Sequence, residues 1–250
     1  MKVGVLGAVP EEVELLNQDL AAAGKDIVGN RTYRFGRLYG QEVILAHARM
    51  GKVAAAITAT RLLETYGADL VLFVGVAGAV APDVSIGDIV VASELMQHDM
   101  DARPLFPRYE IPLLDSDRFT VDPDLIEGAL EAAQGYIQED LPRDISSAQR
   151  ESLGLTSPKA LSGLIVSGDQ FIHDPRHLAE IHRHLPDAKC VEMEGAAVAQ
   201  VCAEHQIPCL VIRTVSDRAD GKAGKDFSVF IEQAARYYSR GIVRRLFSLF

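Results

Sequence analysis

Asp69-Leu70-Val71-Leu72-Phe73-Val74-Gly75-Val76-Ala77-Gly78 is the stretch that decides the fold. A near-continuous apolar run that ends in glycines reads as a central strand running into a glycine turn. Strands apolar on both faces belong to parallel sheets covered on both sides. Residues 3–8 are short, apolar and β-branched, and read as a buried first strand. Residues 43–46, 86–92, 161–167, 188–193 and 209–215 read as further strands. Pro10-Glu11-Glu12 opens a helix, with proline in its first turn and acids at its positive end. Val13, Leu15, Leu16 and Leu20 give that helix an apolar face. Gly51-Lys52 leads into an alanine-rich helix through about Tyr66, and residues 124–137, 175–184, 194–204 and 227–247 complete the helical set. Residues 99–117, rich in proline and charge, form a long loop, and residues 138–157 read as polar and exposed. This alternation predicts an α/β fold with a mostly parallel sheet covered on both sides. No repeat, low-complexity tract or linker divides the chain, so residues 1–250 are expected to form a single domain.

Composition excludes several function classes. The formal net charge is −10 and no basic patch is visible, which argues against nucleic-acid binding. No apolar stretch is long enough to span a membrane. Glu11 and Glu12 follow the first strand too soon for a secretory signal. A soluble cytoplasmic protein is the expectation. Cys190, Cys202 and Cys209 are too few and wrongly spaced for a zinc site and read as buried thiols, which fits a reducing compartment. His173, His177, His182 and His184 lack the spacing of a metal motif and read as a solvated helix face, so no metal is expected. Gly75, Gly78 and Gly87 form no dinucleotide fingerprint, and no P-loop lysine follows them.

In open α/β sheets ligands bind beyond the carboxyl ends of strands. Four groups sit at such ends: Glu12, Ala77-Gly78, Met193-Glu194 and Ser216-Asp217. Their expected convergence is the case for a site. Val191-Glu192-Met193-Glu194-Gly195-Ala196-Ala197, followed by Arg213-Thr214-Val215-Ser216-Asp217, ends two apolar runs in carboxylates, one beside an arginine and a serine. A carboxylate pair with an arginine can hold sugar hydroxyls and protonate a leaving group. Taken singly, Glu194 reads equally well as a helix cap and Asp217 as a turn residue. Gly78 either lets a backbone approach a flat ligand or marks a tight strand-to-loop turn. Phe171 either stacks on an aromatic base or belongs to the core.

Four stretches together resemble the methylthioadenosine/S-adenosylhomocysteine nucleosidases, within the nucleoside phosphorylase superfamily. They are Val3-Gly4-Val5-Leu6-Gly7-Ala8 with Glu11-Glu12-Val13, Gly51-Lys52-Val53-Ala54-Ala55, Gly163-Leu164-Ile165-Val166-Ser167-Gly168-Asp169 with Phe171-Ile172, and Val191-Glu192-Met193-Glu194 with residues 213–220. The resemblance implies a three-layer αβα sandwich around a mixed sheet, and a homodimer. It implies hydrolysis of the N-glycosidic bond of 5′-substituted adenosines without metal or cofactor. Under it, Asp217 donates a proton to purine N7, Glu12 activates water, and Arg213 helps position the water and the acids. Glu194 binds the ribose hydroxyls, with Met193 beneath the sugar. Phe171 stacks on adenine, the Ile172 backbone reads its edge, and Ser216 supports Asp217. Ala77 and Gly78 line the site, and Met50 and Phe227 line the 5′ pocket. Two residues depart from the family pattern: Val76 replaces a common hydroxyl, and Arg49 stands where a small residue is usual. Arg49 reads as a surface charge, a dimer contact or an anion ligand. In the family, the region matching residues 98–112 helps close the neighbouring subunit's 5′ pocket. The alternatives are a phosphate-dependent phosphorylase on the same fold and a non-catalytic nucleoside-binding protein.

Overall fold

The computed structural model describes residues 1–249. In chain order the elements are β1 (Lys2–Gly7), a 3-10 turn (Pro10–Val13), α1 (Glu14–Asp19), β2 (Ala21–Val28), β3 (Arg31–Leu38), β4 (Gln41–His47), α2 (Lys52–Glu64) and β5 (Leu70–Ala79). There follow β6 (Ile89–Gln97), β7 (Arg118–Thr120), α3 (Pro123–Gly135), α4 (Leu141–Asp144), α5 (Ser147–Ser152), β8 (Ala160–Ser167) and α6 (Pro175–His184). The chain closes with β9 (Ala188–Glu192), α7 (Gly195–Glu204), β10 (Cys209–Asp217), α8 (Ala223–Phe230) and α9 (Arg236–Phe247). Residues Tyr136–Asp140 and Ile231–Ala235 are π-helical turns that join helical segments end to end.

The sheet is mixed. β4, β1, β5 and β10 lie side by side and parallel, and β3 and β2 extend the β4 edge antiparallel. β10 continues into antiparallel β6, β6 into parallel β8, and β8 into parallel β9. β9 then returns to β5 through the antiparallel pairs Gly78–Val191 and Ala79–Cys190. The pairings of β5, β10, β6, β8 and β9 therefore close into a ring. This closure brings the carboxyl ends of β5, β9 and β10 together. α2 and α7 pack on each other over one face, while α1, α3 and α9 form a second group over the other.

β5 is the strand the apolar run predicts, and every residue from Leu70 to Ala79 is buried. It does not turn at its glycines but continues straight past Gly78. β2, β3 and β7 have no counterpart in the sequence reading. β2 begins with three alanines and is almost wholly exposed, so burial imposes no pattern on it. Its partners are dictated by the β3–β4 ladder instead. Residues 138–157 are corrected as well: they are largely helical, and Leu141, Ile145, Leu153 and Leu155 are buried. Polar neighbours mask these four anchors, and Asp140 is drawn inward by Arg245 Nε at 2.6 Å. Of the three thiols, Cys190 and Cys202 are buried and Cys209 is half-buried. His173, His177, His182 and His184 are exposed.

Gly241 in α9 marks a close approach. A Cβ there would lie 2.1 Å from Cδ2 of the fully buried Tyr136 ring. Replacing glycine by alanine inside a helix ordinarily stabilises by about 1 kcal/mol. Gly241→Ala is expected to do the reverse and lower stability by about 1–3 kcal/mol through overpacking. Urea denaturation checks this, and a stabilised variant would show that the Tyr136 ring yields without strain.

Candidate active site

The carboxyl ends of β5, β9 and β10 and the turn after β1 enclose a cleft of about 620 Å³. Glu12, Ala77, Gly78, Met193, Glu194, Ser216 and Asp217 all line it, so the four strand-end groups do converge. Met50, Phe171, Ile172 and Phe227 line it too, whereas Arg213 does not.

Glu12 sits in the 3-10 turn after β1 and is held by the backbone. Its Oε2 accepts the Ala8 N–H at 2.6 Å and the Val9 N–H at 3.1 Å, while Oε1 accepts only the Val76 N–H at 2.9 Å. A carboxylate oxygen has two lone pairs, so Oε1 keeps one for a further donor. Burial pushes the Glu12 pKa above its ordinary value against the opposing pull of Arg213 and these N–H groups. Gly75 makes the placement possible, because a Cβ there would stand 2.6 Å from Glu12 Oε1.

Asp217 ends β10 at a bulge. Val215 pairs with Ala77 and Asp217 with Gly78, leaving Ser216 as the extra residue. Bulges re-aim side chains in this way. Asp217 Oδ1 accepts the Ala219 N–H and Oδ2 accepts the Ser216 hydroxyl, both at 2.8 Å. Burial raises its pKa, with those two bonds pulling the other way. A Cβ on Gly78 would approach Asp217 Oδ1 to 2.9 Å. Both glycines of β5 therefore make room for acids, a third role beside the turn and the ligand approach.

Glu194 occupies the N-cap position of α7, as its sequence suggests, but its side chain makes no capping bond. The capping carboxylate comes instead from Glu192, which accepts the N–H groups of Glu194 at 3.1 Å and Gly195 at 2.8 Å. Glu192 also takes the Ser167 hydroxyl and the Arg213 guanidinium, the latter at 2.6 Å. Arg213 is 1% exposed and stacks over the Phe73 ring at 4.1 Å. The arginine is thus a buried partner of Glu192 and does not itself reach the cleft. Glu192 stands in the motif Val191-Glu192-Met193-Glu194 without a role assigned from sequence, although its spacing to the helix start at Gly195 is that of an acid capping a positive end. Relieved of capping, Glu194 turns into the cleft and accepts the Gly51 N–H at 2.8 Å. Burial and the neighbouring Glu192 raise its pKa to about 8.

Phe171 and Ile172 divide their duties. Ile172 is buried in a small core with Ile181 and Leu185, which anchors the loop after β8. Phe171 stands at the rim, 43% exposed, edge-on to Phe227 at 5.6 Å. Arg49 does not line the cleft, and its guanidinium donates to the Asn30 carbonyl at 2.5 Å. Among the described residues that line the cleft there is no lysine, arginine or histidine. Such a cleft offers acids to a neutral polar ligand and apolar rim contacts to its flat or greasy parts.

Residues 2–247 match the family model of the phosphorylase superfamily. The 5′-methylthioadenosine/S-adenosylhomocysteine nucleosidase of Anoxybacillus flavithermus is 35% identical over 240 residues, covering 96% of this chain and 95% of the relative. The crystal structure of the same-named enzyme from Neisseria meningitidis, in complex with methylthio-immucillin-A, superposes with a TM-score of 0.86 at 33% identity. That alignment covers 100% of this chain and 99% of the other. The futalosine hydrolase of Helicobacter pylori strain 26695 superposes with a TM-score of 0.84 at 30% identity, covering 100% of this chain and 98% of that one. The chain belongs to the phosphorylase superfamily and, within it, to the 5′-methylthioadenosine/S-adenosylhomocysteine nucleosidase family.

Two outcomes follow from this electrostatic arrangement. Glu192→Ala strands the buried Arg213 charge and is expected to destabilise by about 3–5 kcal/mol in chemical denaturation; a loss below 1 kcal/mol would mean that the pair is not holding the cleft. Glu194 binds its proton more tightly folded than unfolded, so its contribution to stability is full below pH 4.5 and is lost as the pH rises through about 8. Glu194→Gln should therefore gain stability relative to the parent across that window. Parallel denaturation curves at pH 5 and pH 8 with no change in the difference would contradict the shift.

Proposed function

We propose that this protein hydrolyses the N-glycosidic bond of 5′-substituted adenosines, 5′-methylthioadenosine and S-adenosylhomocysteine among them, to release adenine. The observation that carries the reading is a cleft with separate buried acids and no cation lining it. Cleavage builds positive charge on the sugar and negative charge on the departing base. Asp217, with its raised proton affinity, serves as the general acid at purine N7, and Ser216 orients it. Glu12 takes the proton of the attacking water through the free lone pair of Oε1. Glu194 binds the ribose hydroxyls and Met193 packs beneath the sugar. Phe171 stacks on the base, whose edge meets the backbone of Ile172. Met50 and Phe227 supply apolar surface to the 5′ substituent. Arg213 acts at one remove: through Glu192 it holds the start of α7, and its charge moderates the proton affinity of Glu12 and Glu194.

The phosphorylase reading fares worse. A phosphate dianion needs paired donors when buried. Near Glu12 it would meet the carboxylate and the Val76 side chain, and Arg49 is not among the residues lining the cleft. The protein works as one domain in the cytoplasm and as a homodimer. Support for the homodimer comes from exposed apolar side chains: Val53 and Ile57 on α2, and Leu105 and Leu113 in the loop after β6. Light scattering at micromolar concentration should give twice the chain mass; a fully active monomer would remove the homodimer.

Adenine release from 5′-methylthioadenosine tests the activity. Asp217→Asn keeps the shape but cannot deliver the proton, and the rate should fall by about 10²–10⁴. The variant should still bind adenine. Turnover within a few-fold of the parent would remove Asp217 from the chemistry.

A further inference from the structure

Lys52 does not line the cleft, yet it stands at the crossing of two segments that do. Its ammonium donates to Asp99 Oδ1 at 2.6 Å and to Gln97 Oε1 at 2.9 Å. Asp99 Oδ2 accepts the Asp169 N–H at 2.9 Å. The Asp169 carboxylate returns to the start of α2 and accepts the Lys52 N–H at 2.8 Å. The circuit is closed: side chain to side chain to backbone, and back through a second side chain. One residue before Lys52, the Gly51 N–H holds Glu194 Oε1 at 2.8 Å. Two and three residues after Asp169 come Phe171 and Ile172. Gly51 has φ +93°, and a Cβ there would lie 3.1 Å from Asp169 Oδ1, so the two segments meet tightly. Gln97 extends the circuit to α7 through Gln200 at 2.7 Å.

We propose that Lys52 is a positioning residue that clamps the ribose-binding Glu194 and the base-stacking loop into one register. The proposal rests on the hydrolytic reading of the cleft. The ion pair is partly exposed, with side-chain exposures of 16% for Lys52 and 27% for Asp99. Its effect is geometric. Two recognition elements that are far apart in sequence share a single anchor, and a substrate must satisfy both at once.

Lys52→Met is the test, read by KM, kcat, the dissociation constant of free adenine, and the exchange rates of the Lys52 and Asp169 amides. KM and the adenine dissociation constant should each rise about tenfold, the effect of one lost charge-assisted hydrogen bond. kcat should fall less, and the melting temperature should stay within a few degrees. Both amides should exchange faster in the ligand-free protein. Asp99→Ala should reproduce the pattern, and the double variant should be no worse than either single one, because both break the same circuit. Unchanged KM and adenine affinity, or a loss that follows only the folded fraction, would overturn the clamp. So would additive losses in the double variant. Amide exchange needs no substrate, so a parent protein that fails to cleave nucleosides would reject the hydrolytic reading while the clamp is still judged.

Discussion

The Arg213–Glu192 ion pair is the constraint on which the rest of the site depends. Arg213 is the one buried cation among the described residues, and Glu192 meets it at 2.6 Å. Isolated burial of either charge would cost several kcal/mol, so each makes the other tolerable. The pair also joins elements that are distant in sequence. Arg213 belongs to β10, Glu192 to the end of β9, and Ser167, which donates to Glu192, to the end of β8. The same carboxylate caps α7. Two strand ends, the middle of a third strand and a helix start are thereby fixed around one point.

The chemistry of the cleft follows from that engagement. Because Glu192 caps the helix, Glu194 is free to face the cleft. Because Arg213 is committed to Glu192, no positive charge is presented to a nucleophile. The acids that remain are buried and hold protons more tightly than usual, which suits one of them to protonate a leaving base. The β5 glycines complete the arrangement from below. Gly75 admits Glu12 and Gly78 admits Asp217, and any side chain at either position would occupy the space of the acid.

Much of this was legible in the sequence. Doubly buried strands such as β5 announce themselves, because burial on both faces forbids polar residues. The strand-end positions of Glu12, Glu194 and Asp217 followed from the strands themselves. Other features were not legible, for physical reasons. β2 is exposed and carries no hydrophobic pattern. The return of β9 to β5 rests on two residue pairs, too few to leave a signature. Glu192 and Glu194 are two residues apart, and which one caps the helix depends on where Arg213 lies in space. The glycines of β5 looked like turn residues because the side chains they make room for come from elsewhere in the chain.

The central claim is that a cleft lined by acids and without a facing cation accepts water and refuses phosphate. The most direct measurement is the sugar product formed from 5′-methylthioadenosine at increasing phosphate concentration. Free 5-methylthioribose at every concentration, with a rate indifferent to phosphate, is the expected result. A sugar 1-phosphate whose yield rises with phosphate would contradict it.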